Sequence, residues 1–115
     1  MNPVQFTYFI EKNYDALNNQ FKSSIKYFMR SYYKLAILLE IMKSYYQVSD
    51  DVSSVEELCK KVHNIASRTT VVNFINELLE SKLVKAQYNR KDKRLKIITP
   101  SNILVEDYEK WAKLF

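Results

Sequence analysis

The chain has no glycine at all, one cysteine, one histidine and two prolines in 115 residues. The lack of glycine argues for long helices and few tight turns, and it leaves no glycine loop to hold phosphates. A single cysteine, Cys59, excludes an intrachain disulfide and a cysteine zinc cluster. Together with the lack of a signal peptide, this fits a reducing cytoplasm. His63 has no acidic or cysteine partner at ligand spacing, so no metal site is expected. Neither His63 nor Cys59 has the partners of a nucleophilic triad, so neither an enzyme nor a cofactor is expected. Long apolar runs are missing too. The most apolar stretch, Leu35-Ala36-Ile37-Leu38-Leu39, is cut by Glu40 and followed by Lys43. It is far short of the roughly 20 residues that span a bilayer, so it reads as a core helix and no membrane association is expected.

What is present suits one globular domain: 47% hydrophobic and 27% charged residues, with a formal net charge of +5. The charge is unevenly placed. Residues 60–96 hold ten Lys/Arg against three Asp/Glu, while the segments on either side are each slightly acidic. A field concentrated in this way attracts polyanions and steers their association.

That basic segment also has the clearest pattern. Val71, Ile75, Leu78 and Leu79 recur at helical spacing and form an inward face. Ser67 stands where its hydroxyl can accept from the free N–H groups of a first turn. Arg68, Thr69, Val72, Asn73 and Asn76 then point outward. Beyond the helix the period falls to two: Val84, Ala86 and Tyr88 alternate with Lys85 and Gln87, and Leu95 and Ile97 with Lys96 and Ile98. These two strands flank Asn89-Arg90-Lys91-Asp92-Lys93-Arg94, a tip in which Asn and Asp supply the turn chemistry. The pattern is a recognition helix followed by a β-hairpin wing.

In SRTTV at the helix start, ELLESKLV at its exit, Asp92-Lys93-Arg94 at the tip and Ile98-Thr99 closing the hairpin, the sequence resembles the MarR-type winged-helix transcription regulators. The resemblance covers roughly the second half of the chain. It implies a homodimer joined by the terminal helices and Arg94 as the wing arginine oriented by Asp92, and it leaves open a small-molecule effector, for which ligand-responsive members have a pocket. Two features depart from the family. Lys82 stands where the family usually has Gly, at a helix exit that favours left-handed angles. His63-Asn64-Ile65-Ala66 is longer than the usual turn between the two helices.

The rest of the chain supplies the flanks. Asn2-Pro3 is a helix start, with an apolar stripe of Phe6, Ile10, Tyr14, Leu17 and Phe21. A break near Ser23-Ser24 leads to a long second helix, about 24–46, with one stripe on Ile25, Phe28, Met29, Tyr32, Leu35, Ala36, Leu39 and Met42 and another on Tyr33, Ile37, Ile41 and Tyr45. Residues 47–52 form a polar linker. Ser54 and Glu57 read as a capping box opening the first helix of the helix-turn-helix, with Val55, Leu58, Cys59 and Val62 inward. Pro100-Ser101-Asn102 ends the wing, and 103–115 is a final helix with Leu104, Tyr108, Trp111, Leu114 and Phe115 on its apolar face.

The expected fold class is thus mainly α with a small β-hairpin (α+β), a winged helix-turn-helix with flanking N- and C-terminal helices. It forms one domain of three parts, 1–47, 48–99 and 100–115. The expected function is sequence-specific binding of double-stranded DNA. Ser67, Arg68, Thr69, Thr70 and Asn73 on the recognition helix would meet bases or phosphates, and Arg90, Lys91, Lys93 and Arg94 on the wing would meet the backbone or minor groove. A two-fold dimer would read half-sites about 10 bp, or a multiple of that, apart. Two alternatives stay open: a winged helix that docks on protein, and a DNA-binding architectural or replication-associated protein without sequence preference. For Thr70 a capping role is the competing use. For Cys59 it is a buried structural thiol against a redox sensor. The aromatics Tyr8, Tyr14, Tyr27, Phe28, Tyr32, Tyr33, Tyr45 and Tyr46 either line the effector pocket or serve core and interface packing.

Overall fold

The computed structural model describes residues 2–20, 23–46, 53–88 and 95–113. Their order is α1 (Pro3–Gln20), a 3-10 turn (Ser24–Tyr27), α2 (Tyr32–Tyr45), α3 (Val55–Lys61), α4 (Arg68–Glu80), β1 (Val84–Tyr88), β2 (Lys96–Pro100) and α5 (Asn102–Ala112). The mainly helical architecture with one antiparallel hairpin is the one expected. The linker 47–52, Phe21, Leu114, Phe115 and the wing tip 89–94 lie outside the described residues.

Four helix starts are closed by their own side chains. Asn2 Oδ1 accepts from the Gln5 N–H and Gln5 Oε1 from the Asn2 N–H, both at 2.9 Å, a reciprocal cap on α1. The hydroxyls of Ser54, Ser67 and Ser101 accept from Glu57, Thr70 and Leu104 N–H at 3.1, 3.2 and 3.2 Å.

The second helix is shorter than its apolar pattern suggested. Ser23 accepts from the Ile25 N–H, and the Ser24 N–H and hydroxyl both donate to Asp107 Oδ2 of α5, at 2.9 and 2.6 Å. These bonds hold 24–27 as a 3-10 turn, and Ser31 follows in extended geometry, so α2 begins only at Tyr32. A long-range carboxylate thus caps a first-turn N–H group that has no partner within the turn. The inward face of α2 changes as well. Ile37, Leu38, Ile41 and Met42 are buried, whereas Tyr32 is 87% exposed and Met29 and Leu39 face outward.

The core lies where α2, α3, α4, the hairpin and α5 meet, joined by Ile25 and Phe28 of the preceding turn. Phe74 of α4 stands edge-on to Phe28 and Tyr33, with ring centroids 5.6 and 5.9 Å apart. β1 pairs antiparallel with β2 from Val84 opposite Pro100 to Tyr88 opposite Lys96. Pro100 therefore ends the strand from inside it, at a position where a two-stranded sheet tolerates the missing N–H. Ser53 adds to the hairpin: its carbonyl accepts from the Ile98 N–H at 2.9 Å and its hydroxyl donates to the Ile98 carbonyl at 2.6 Å. At the far side, the Tyr46 hydroxyl donates to Glu109 Oε1 at 2.8 Å, tying α2 to α5. Desolvation and that bond push the phenol up to about 12.

The first half of α1 has little cover among the described residues. Val4, Phe6, Tyr8, Phe9, Ile10 and Tyr14 of α1 are each more than half exposed. The helix touches the rest of the chain chiefly at the 3-10 turn and α5. The expected stripe of Phe6, Ile10 and Tyr14 is helical, but it does not pack inward.

Candidate nucleic-acid interface

The site is built on two helices and the turn between them. Leu58, Cys59 and Val62 anchor α3 in the core, and Val71, Phe74, Ile75 and Leu78 anchor α4. The connection is compact despite its length: the Ile65 and Ala66 N–H groups both donate to the Val62 carbonyl at 3.0 Å. His63 is exposed, with Nδ1 2.8 Å from the Lys60 carbonyl oxygen. Among the described residues no group of three or more His, Cys, Asp or Glu could hold a metal.

The exit of α4 explains Lys82. The Leu83 N–H donates to the Leu78 carbonyl at 3.0 Å and the Lys82 N–H to the Leu79 carbonyl at 3.1 Å, a Schellman closure. It requires left-handed angles at Lys82, which has φ 62°. The chain keeps the geometry that favours glycine without having the glycine.

Arg68, Thr69, Thr70 and Asn73 are all exposed on the first two turns of α4. Thr69 and Asn73 have no side-chain hydrogen bond among the described residues. Thr70 is partly occupied at home, since its hydroxyl accepts from that of Ser67 at 2.9 Å. Val72 departs from expectation: it is half-buried against the core because the inward face of α4 is wider than the stripe read from Val71, Ile75 and Leu78. Phe74, which that stripe left out, fills the added width.

Arg68 is not a free cation. Its Nη1 and Nη2 donate to Glu56 Oε2 and Oε1 at 2.7 and 2.5 Å, a two-pronged pair across the turn. Hydrogen bonding to Arg68 holds the Glu56 carboxyl below its ordinary range. The same arginine, Val72 and Asn76 share with Leu95 and Lys96 a groove of about 270 Å³ between α3, α4 and the base of the hairpin. Recognition helix and wing root are therefore adjacent. Arg90, Lys91, Lys93 and Arg94 lie outside the described residues.

Three further cations lie over aromatic rings of the preceding segments and of α4. Lys34 Nζ lies 5.1 Å from the Phe74 ring centroid and 5.8 Å from that of Tyr33, while Lys26 and Arg30 flank the Tyr27 ring. A spacing of four residues was the only signal available. Of the aromatics weighed as pocket lining, Phe28 is buried and Tyr33 packs on the core, while Tyr8, Tyr14, Tyr27, Tyr32, Tyr45 and Tyr46 are exposed. Cys59 is buried, and desolvation pushes its thiol up, opposite to the shift of a reactive thiolate.

A helix set across a compact turn from its partner, with a hairpin leading off its exit, is a winged helix-turn-helix. No family model and no curated protein sequence matches the chain. Solved structures do match it in fold. Over 97% of this chain and 82% of the other, it superposes on S. aureus MepR in its complex with DNA with TM-score 0.65 at 16% identity. Over 96% and 74%, it superposes on reduced AbfR bound to DNA with TM-score 0.55 at 20% identity. Over 97% and 74%, it superposes on the heme sensor protein PefR from Streptococcus agalactiae, in complex with heme, with TM-score 0.53 at 13% identity. The fold is that of the MarR-type winged-helix regulators, and the likeness extends over nearly the whole chain rather than its second half alone.

Proposed function

We propose that the chain is a dimeric transcription regulator that binds double-stranded DNA sequence-specifically. The observation that carries this is the outer face of α4: Thr69 and Asn73 are exposed and unengaged, beside Arg68 and the root of a basic wing, on a helix clamped into the core from its other side. Asn can pair with adenine, arginine with guanine, and the hydroxyls with bases or phosphates. Arg90, Lys91, Lys93 and Arg94 would lie along the flanking backbone or enter the minor groove. Two of the solved structures sharing the fold are complexes with DNA, which supports the same use of these surfaces.

The uncovered α1 face supports a homodimer. Phe6, Ile10 and Tyr14 share one exposed stripe of α1, and such a stripe is stable in water when another apolar face covers it. A two-fold pairing would place two recognition helices on half-sites about 10 bp, or a multiple of that, apart.

The test is a fluorescence-anisotropy titration of labelled random duplex across a salt series, followed by selection of a preferred sequence from a duplex library. Lys93→Ala/Arg94→Ala should weaken binding to every duplex and lower the salt slope by about 2. Asn73→Ala should cost the selected sequence about 1–3 kcal/mol and random duplex little. No binding at low salt, or no enrichment of any sequence, would sink the reading.

A further inference from the structure

The Arg68–Glu56 pair has the form of a competitor to DNA. Two guanidinium nitrogens engage both oxygens of one carboxylate, which is the same fork an arginine presents to the O6 and N7 acceptors of guanine. Both side chains are exposed at the ends of α3 and α4 that this fold turns toward a duplex. While Glu56 holds it, Arg68 adds no net charge to the surface.

We propose that Glu56 is a specificity-determining residue: its carboxylate latches Arg68 away from phosphate and yields it where a base edge offers two acceptors in return. The proposal rests on the DNA-binding reading above. Binding to random duplex comes mostly from cations that displace counterions at phosphates. The latch withdraws one cation from that pool, and freeing it leaves the Glu56 carboxylate facing the phosphates. Random DNA is thereby disfavoured, whereas a guanine at the right position replaces both lost hydrogen bonds. Exposed ion pairs are weak enough to exchange in this way. The strength typical of such pairs corresponds to an equilibrium shift of up to about fivefold.

Glu57 provides an internal control. It sits on the same first turn of α3 with the same charge, but its carboxylate lies 3.6 Å from Lys60 Nζ of its own helix rather than on Arg68. The experiment compares wild type, Glu56→Gln, Glu56→Ala, Glu57→Gln, Arg68→Ala and the double variant Arg68→Ala/Glu56→Gln. Each is titrated against random duplex and the selected duplex over a salt series, after circular dichroism confirms folding.

The latch predicts that both Glu56 variants bind random duplex about threefold to fivefold more tightly, with a salt slope steeper by about 1. The ratio between selected and random duplex should fall. Glu57→Gln should change far less, and the gain from Glu56→Gln should vanish in the Arg68→Ala background. Equal gains at 56 and 57, or a gain that persists without Arg68, would reduce Glu56 to a general surface charge. Weaker binding by the Glu56 variants would make it a support for Arg68 rather than a competitor. If wild type and all variants fail to bind at the lowest salt, the DNA reading itself falls and the latch with it.

Discussion

Replacing Lys82 with glycine should stabilise the protein, and the size of the gain follows from the α4 exit. Lys82 holds φ 62° because the two closing hydrogen bonds from Lys82 and Leu83 can form only with that residue left-handed. Such angles cost an L-residue roughly 1–2 kcal/mol through contact of Cβ with the following carbonyl. Glycine removes that contact but gives up about 0.5–1 kcal/mol because its unfolded chain is freer. The side chain is exposed, so its loss uncovers no core. The balance is a gain of about 0.5–1 kcal/mol, or a rise of about 2–5 °C in Tm for a domain of this size. Urea unfolding followed by the fluorescence of the single tryptophan, Trp111, gives the free energy directly, since its ring packs against the core. Lys82→Ala is the control, because alanine keeps the Cβ and should leave stability within about 0.5 kcal/mol of wild type. A gain from alanine equal to that from glycine would place the effect in the lost charge rather than in the backbone. A loss on going to glycine would refute the strain argument altogether.

Three further outcomes are expected. Phe74→Ala should cost about 3–5 kcal/mol in the same unfolding assay, because the ring is buried between Phe28 and Tyr33; Thr69→Ala, on the outer face, should cost under about 0.5 kcal/mol. Phe6→Glu/Ile10→Glu should convert a dimer to a monomer in sedimentation velocity with helicity retained, and an unchanged sedimentation coefficient would remove α1 from the interface. By NMR titration the Glu56 carboxyl should ionise below its ordinary 4.5, and in Arg68→Ala it should return toward that value. A carboxyl lowered in the folded state contributes stability above its unfolded pKa and loses it as pH falls through the folded one, so any stability difference between wild type and Arg68→Ala should shrink below about pH 4.5.

Features fixed by neighbours in sequence were legible without the structure. Ser54 and Ser67 cap because a hydroxyl reaches N–H groups three residues on. The alternation placed the hairpin, although only Val84 of β1 and Ile98 of β2 are buried, and the resemblance to a family that usually has glycine at this position pointed to the left-handed exit that Lys82 adopts. What required the fold is what depends on residues far apart in sequence. Asp107, 83 positions away, caps the 3-10 turn by accepting the Ser24 N–H, and the extended geometry of Ser31 separates that turn from α2. Phe74 widens the inward face of α4 beyond a strict stripe because Phe28 of the preceding turn and Tyr33 and Lys34 of α2 pack against its ring. Glu56 and Arg68, 12 residues apart, meet only because the Val62 carbonyl closes the turn between their helices.

The α1 helix marks the boundary between these two kinds of information most sharply. Its start is written locally, in Asn2, Pro3 and Gln5, and its apolar period is plain. An amphipathic pattern states that a face is to be covered but not by what, and here the described residues leave Phe6, Ile10 and Tyr14 exposed. The same stripe that looked like core is therefore surface within one chain. The second copy proposed above would resolve the discrepancy between pattern and burial, since a two-fold axis would let Phe6, Ile10 and Tyr14 meet apolar side chains of the same type. It would also set the distance between two copies of α4. On this argument the apolar stripe of α1 would fix the half-site spacing read by α4. Lengthening the central spacer of a selected duplex by 5 bp should then abolish the second half-site's contribution, and 10 bp should not restore it unless the two halves of the dimer can move apart.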